Sequence, residues 1–294
     1  MSLGLWAGDV EARLDDVAAL GATDVALVVS WRQHDVHDTK IAAASSTPSD
    51  DDVRAAIRAA RARGLAVLVF PIVELDELGP GAWRGTLAPR DRAAWWSSYE
   101  KFIAHYAQLA ADESAEAFSI GSELGSTEGW RDRWFHLASR VQRIFPGAIT
   151  YSANWDHFDQ VSFTARLDWL GVTGYFELTT DADASEDDLT RAWEQPKKKL
   201  LAFAAKSNKP LVITEIGYPS VDGGAVHPWD YTALGDVDLD EQRRAFRAFA
   251  RAWGNTALAG VFIWEWSLPG GDHDRGYTPR DKPAECTLAS WYSR

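Results

Sequence analysis

The chain has 294 residues, 46% of them hydrophobic and 25% charged, enough to bury a sizeable core in one large or two small domains. Its 30 basic and 43 acidic residues leave a net charge of −13, which disfavours nucleic acid and anionic membrane surfaces as partners. Cys286 is the one cysteine, which excludes an intrachain disulfide and a cysteine-based zinc cluster, and no apolar run approaches the roughly 20 residues of a membrane span.

In chain order, residues 3–6 are a short candidate strand. Asp9 is placed to cap a helix with apolar positions at Val10, Leu14, Val17 and Leu20. No basic or apolar leader stands at the start, so no signal peptide is read there. The compartment stays open: secreted if a leader has been lost, cytoplasmic otherwise. Residues 24–30 form a buried strand that delivers Trp31, Arg32 and Gln33 to a loop. A helix runs from Ser49 to Arg63, and a third strand over 65–70 is closed by Pro71. The loop beyond it carries Trp83 and Arg84. A long helix spans 91–111, with one of Trp95 and Trp96 buried and the other exposed. The fourth strand ends at Glu123.

A helix over 130–145 leads to strand five (148–152) and to Asn154 and Trp155. Strand six (168–173) leads to Tyr175. An acidic loop and a helix occupy 181–206. Strand seven starts after Pro210 and ends at Glu215, and its loop holds His227, Pro228 and Trp229. A helix over 239–253, strand eight (259–264) with Glu265 and Trp266 beyond it, and a helix over 284–292 close the chain. Cys286 reads as a half-buried residue of that last helix.

Eight alternations of short buried strand and helix predict an α/β fold, a (β/α)₈ (TIM) barrel in a single domain spanning 1–294. An open doubly wound sheet would want a glycine-rich phosphate loop after an early strand, and none is found. In a barrel, residues just past the strand ends line one mouth. Here these are Trp31, Arg84, Glu123, Asn154, Trp155, Tyr175, Glu215, Trp264, Glu265 and Trp266. Tryptophan is the outlier of the composition at 15 residues. Aromatic walls around two carboxylates are what glycoside hydrolysis needs: one carboxyl protonates the leaving oxygen, the other attacks or stabilises the anomeric carbon. Each glutamate follows a buried run, where a carboxylate is costly unless it faces a polar cleft.

Six stretches carry a closer likeness: Trp83-Arg84-Gly85, residues 120–124 (IGSEL), 150–155 (TYSANW), 171–176 (GVTGYF), 213–218 (ITEIGY) and Thr278-Pro279-Arg280. Through them the chain resembles the retaining (β/α)₈ glycoside hydrolase clan, and is most similar to glycoside hydrolase family 113, whose known members are β-mannanases. The resemblance implies Glu123 as acid/base and Glu215 as nucleophile, with Tyr175 donating a hydrogen bond to the nucleophile. It implies sugar contacts from Asn154, Trp155 and Trp264. Trp31, Trp83, Arg84 and Trp266 complete the expected substrate-binding set. The expected substrate is a β-linked polysaccharide or oligosaccharide of the mannan type, cut internally. No cofactor or metal is expected, and a monomer is the expected state. At neutral pH Glu123 is expected to hold its proton while Tyr175 keeps Glu215 the lower of the two.

Two positions depart from the clan. Ser122 stands where most members place Asn, and Ile72 stands where a polar residue is expected after strand three. The competing readings are a non-catalytic sugar-binding barrel and a metal-dependent hydrolase. The first needs no nucleophile, and the second needs His and Asp at the strand ends. The segment from His34 to Asp38, residues 272–274 and the run Lys197-Lys198-Lys199 read as solvated surface, Tyr218 as core, and Glu74 equally as mouth or loop.

Overall fold

The computed structural model describes residues 1–5, 8–254, 256 and 258–293, so the candidate strand residue Trp6 lies outside the described residues. Eight parallel strands form one sheet in sequence order. They are β1 (Ser2–Gly4), β2 (Asp24–Gln33), β3 (Ala66–Leu75), β4 (Ala117–Ser122), β5 (Ala148–Ala153), β6 (Leu170–Thr173), β7 (Leu211–Ile216) and β8 (Gly260–Ile263). Beyond β8 the Trp266 amide donates to the Ser2 carbonyl at 2.9 Å, which returns the chain to β1 and curls the sheet into the expected barrel.

The helices between the strands are α1 (Val10–Ala19), α2 (Asp50–Ala62), α3 (Arg92–Asp112), α4 (Arg131–Ile144), α5 (Glu186–Ala192), α6 (Glu194–Ser207), α7 (Leu239–Trp253) and α8 (Pro283–Tyr292). Five of them start on a side chain that accepts a first-turn amide: Asp9, Ser49, Asp91, Ser185 and Asp238. The segment expected to hold one helix holds two, α5 and α6, which meet at Trp193. Among the described residues no helix is long and apolar enough to cross a membrane.

The strands bury two separate apolar surfaces. Ala26, Val28, Leu68, Phe70, Ile72, Ala117, Val212 and Phe262 fill the barrel interior. The alternate positions, among them Val25, Leu27, Val29, Val67 and Val69, pack outward against the helices. This period of two decides the fate of Trp31. It shares the parity of Val25, Leu27 and Val29, and β2 continues through it to Gln33 instead of ending at Ser30. Its ring therefore meets α3, 5.2 Å from Phe102 and 6.2 Å from Tyr106 between centroids, and not the mouth.

β3 likewise runs through Pro71 to Leu75. Its pairing with β4 stops at Val69, while pairing with β2 continues to the end. An amide-less residue is tolerated where one side of the strand has no ladder. Two further expectations are corrected: Trp95 and Trp96 are both fully buried, and Cys286 is exposed on α8. Tyr218 packs in the core, edge-on to Phe246, as expected.

Trp31→Ala should destabilise the fold by about 2 kcal/mol, through lost contacts with α3. Its kcat/KM should stay close to wild type. A raised KM with unchanged melting temperature would instead return Trp31 to the cleft.

Candidate active site

Strict alternation along β7 would send Glu215 to the helix layer, because Val212 faces the interior and Ile213 faces out. A break in register between Ile213 and Ile216 changes this. Thr214 meets Ser152 across β6, oxygen to oxygen at 2.6 Å, so it points inward. Glu215 points inward too, since the Ser122 hydroxyl donates to its Oε1 at 3.1 Å from the far side of the barrel. A second register break, between Ser119 and Ser122, precedes Glu123. Glu123 itself adopts a left-handed backbone, φ 55°, which is uncommon for a residue with a side chain.

Each carboxylate has its own partner. Arg84, from the loop after β3, donates from Nη2 to Glu123 Oε2 at 2.6 Å. Tyr175, just past β6, donates its hydroxyl to Glu215 Oε2 at 3.2 Å. Both carboxyls are withdrawn from water: Glu123 is 6% exposed and Glu215 is 2% exposed. Burial first, and the charge of Glu123 second, push the Glu215 carboxyl up to about 8, against the opposing pull of Arg84, Ser122 and Tyr175. Tyr175 donates to Glu215 as expected, but it does not keep Glu215 the lower of the two carboxyls, because desolvation outweighs the donors. Burial also raises Tyr175 well above its usual range, so it remains a donor. For Arg84, burial acts to lower its value, yet the charges of Glu123 and Glu215 together prevail and hold it raised. One guanidinium facing two carboxyls is neutral when the pair keeps one proton, and that is the state favoured here at neutral pH.

The other expected site residues divide. The Trp83 indole folds over Gly85, where a Cβ would lie 2.2 Å from the ring, so a side chain there would displace the indole. Asn154 spends its amide on the turn after β5: Nδ2 donates to Asp156 at 3.0 Å, and Oδ1 accepts the Trp155 amide at 3.1 Å. Trp155 is half-buried and edge-on to Phe176. Trp264 packs on the interior cluster that contains Ile72 and Phe262. Trp266 is not in the mouth; it is buried in the outer core. Glu265 is likewise turned aside: its carboxyl, raised by burial, interacts with Arg13 of α1. Glu74 pairs with Arg32.

Sequence reading missed two aromatic residues of this region. The Tyr277 ring lies 6.3 Å from Tyr175, and its hydroxyl donates to the Pro228 carbonyl at 2.7 Å. Trp229, 46% exposed, is fixed by an indole hydrogen bond to Glu177 at 2.9 Å. Both belong to irregular loops, where no periodicity marks a residue; only the rarity of an exposed tryptophan pointed to Trp229.

The raised carboxyl sets a pH dependence of stability. Unfolded, Glu215 ionises near its ordinary 4.5; folded, it ionises near 8. The folded state thus holds the extra proton, and stability falls as pH rises through that window. Glu215→Gln should therefore melt several degrees above wild type at pH 8 and show a smaller gap at pH 5. A gap independent of pH would mean that Glu215 titrates normally.

The family model of Glycoside Hydrolase Family 113 matches residues 3–281. Among curated proteins none matches the chain. Among solved structures, the chain is similar to the GH113 β-mannanase AaManA from Alicyclobacillus acidocaldarius in complex with ManMIm. The two share 28% identity over 100% of this chain and 96% of that one, with a TM-score of 0.89. A GH113 β-1,4-mannanase, 22% identical over 98% of this chain and 94% of its own, shares the fold with a TM-score of 0.89. So does the endoglucanase Cel5A from the hyperthermophilic Thermotoga maritima, 15% identical over 96% and 89% of the two chains, with a TM-score of 0.67. The chain belongs to glycoside hydrolase family 113 and is a retaining β-glycoside hydrolase.

Proposed function

We propose that this enzyme cuts β-mannan or a closely related β-linked polysaccharide within the chain, with Glu123 as acid/base and Glu215 as nucleophile, in one catalytic domain spanning residues 1–294. The observation that carries the roles is placement: Glu123 lies just past β4 and Glu215 near the end of β7, the positions of acid/base and nucleophile that the resemblance to family 113 implies. Ser122 and Tyr175 both aim donors at Glu215, opposing the rise that burial imposes and ready to hold its anion once the proton has left. Glu123 sits just past β4 with the Arg84 guanidinium on one oxygen. In the free enzyme burial keeps the pair's single proton on Glu215, and the first step requires that substrate binding pass it to Glu123. Glu215 then attacks the anomeric carbon, the bond to the leaving oxygen breaks, and that oxygen takes the proton from Glu123. Water, deprotonated by Glu123, releases the sugar from Glu215 and restores the starting protonation.

The substrate class rests on AaManA, described as a β-mannanase, whose identity to this chain extends over its full length. Action within a chain is supported by the rim. Trp83 is half-exposed and Trp229 exposed, offering flat faces for sugar units beyond the cleavage point. Ser122 commits its hydroxyl to Glu215, so recognition of the sugar 2-hydroxyl falls to other groups than the usual asparagine.

Glu123→Gln should lose activity on oligosaccharides by at least about a hundredfold and keep much of it on aryl glycosides with good leaving groups, which need little protonation. Glu215→Ala should lose both. Proton NMR of early products should show the β-anomer before mutarotation. Across a panel of β-linked polysaccharides, mannan should release reducing ends fastest. Early α-anomer would make Glu215 a general base, and preference for another glycan would replace mannan as substrate.

A further inference from the structure

The loop that carries Glu123 is held from below by a buried polar line that the reaction itself does not use. The strained backbone at Glu123 leaves two successive amides to satisfy, and β5 takes both. The Glu123 amide donates to the Ser152 carbonyl at 2.8 Å. The Leu124 amide donates to the Tyr151 hydroxyl at 2.8 Å. That hydroxyl in turn donates to Glu128 Oε1 at 2.7 Å. The Tyr151 ring is fully buried, edge-on to Trp134 and Phe163, and cannot swing away. Glu128 is buried as well, and its second oxygen lies 3.4 Å from His157 Nε2. His157 is held mainly by Glu128, and also by Asp156, in its charged form, its value pushed up to about 9. It lies directly on the loop: a Cβ at Gly125 would sit 2.7 Å from its Nε2, so a side chain there would displace the imidazole.

We infer that Tyr151, oriented by Glu128 and His157, is a positioning residue for the acid/base: it fixes the peptide after Glu123, and thereby the direction in which that carboxyl presents its proton. The inference rests on Glu123 being the acid/base. A buried hydroxyl that is both donor and acceptor leaves the Leu124 amide one place to point. Without it the amide would be unpaired and the left-handed residue free to relax. The nucleophile is untouched by this line, since Glu215 takes its donors from Ser122 and Tyr175.

A general loss of structure and a misdirected acid differ in their dependence on the leaving group. Tyr151→Phe should lower kcat/KM on oligosaccharide about tenfold, and on a dinitrophenyl glycoside less than about twofold. Glu128→Gln keeps an acceptor for Tyr151 and removes the charge; it should show the same split at smaller size, and it serves if Tyr151→Phe does not fold. Equal losses on both substrates, or no loss on either, would overturn the inference. Glu123→Gln measured alongside separates the two levels of the argument. If it shows the split and the other variants do not, positioning fails and the acid/base role stands. If it shows none, the role itself is wrong.

Discussion

Two carboxyl groups and one guanidinium share a cleft from which most water is excluded, and their charges have to balance. Full ionisation of Glu123 and Glu215 together would place two anions against Arg84 alone. Retaining one proton removes that excess, and a single proton is also what a retaining glycosidase must deliver to its leaving group. The raised Glu215 carboxyl is thus a consequence of the same burial that makes the site effective. Partners are then divided so that the two groups differ. Arg84 is given to Glu123, while Ser122 and Tyr175 are given to Glu215.

The barrel delivers this arrangement through departures from its own regularity. Perfect pleating would bury Ile213 and Glu215 on the same outward face. The irregularity at the end of β7 lets Thr214 and Glu215 both face inward, and the one in β4 precedes the left-handed turn at Glu123. The strain is confined by β5, which supplies Ser152 to one amide and Tyr151 to the next. Beneath the carboxyls the floor is apolar at Phe70, Ile72 and Phe262, while Ser152 and Thr214 bring in hydroxyls that pair with each other. The apolar part of the floor strengthens the charge interactions above it. Ile72, a departure from the clan's usual polar residue, belongs to that floor.

The architecture was legible because eight apolar runs punctuated by helix caps leave few alternatives. Glu123 and Glu215 were legible as carboxylates placed where a buried run ends. Parity was readable as well but went unused: Trp31 stands two residues after Val29 and had to follow it outward once the strand continued. Trp266 could not be judged in this way, because the chain leaves the sheet before it and bends back to Ser2. The positions of Tyr277, Trp229 and His157 depend on loops that cross from one strand end to another, and contacts of that kind leave no periodic trace. Glu128 reads as one more charged residue after a glycine-rich turn; only its burial beneath Tyr151 reveals what it holds.

The central claim is that Glu215 forms a covalent bond to the sugar. The most direct measurement uses a 2-deoxy-2-fluoro glycosyl fluoride of the β-manno series, which slows both steps but spares the first more by virtue of its leaving group. Intact-protein mass spectrometry should show the enzyme heavier by one fluorosugar, and peptide mapping should place the added mass on Glu215. Wild-type enzyme that turns over mannan yet accumulates no adduct, or an adduct carried by Glu123 or any other side chain, would contradict the account.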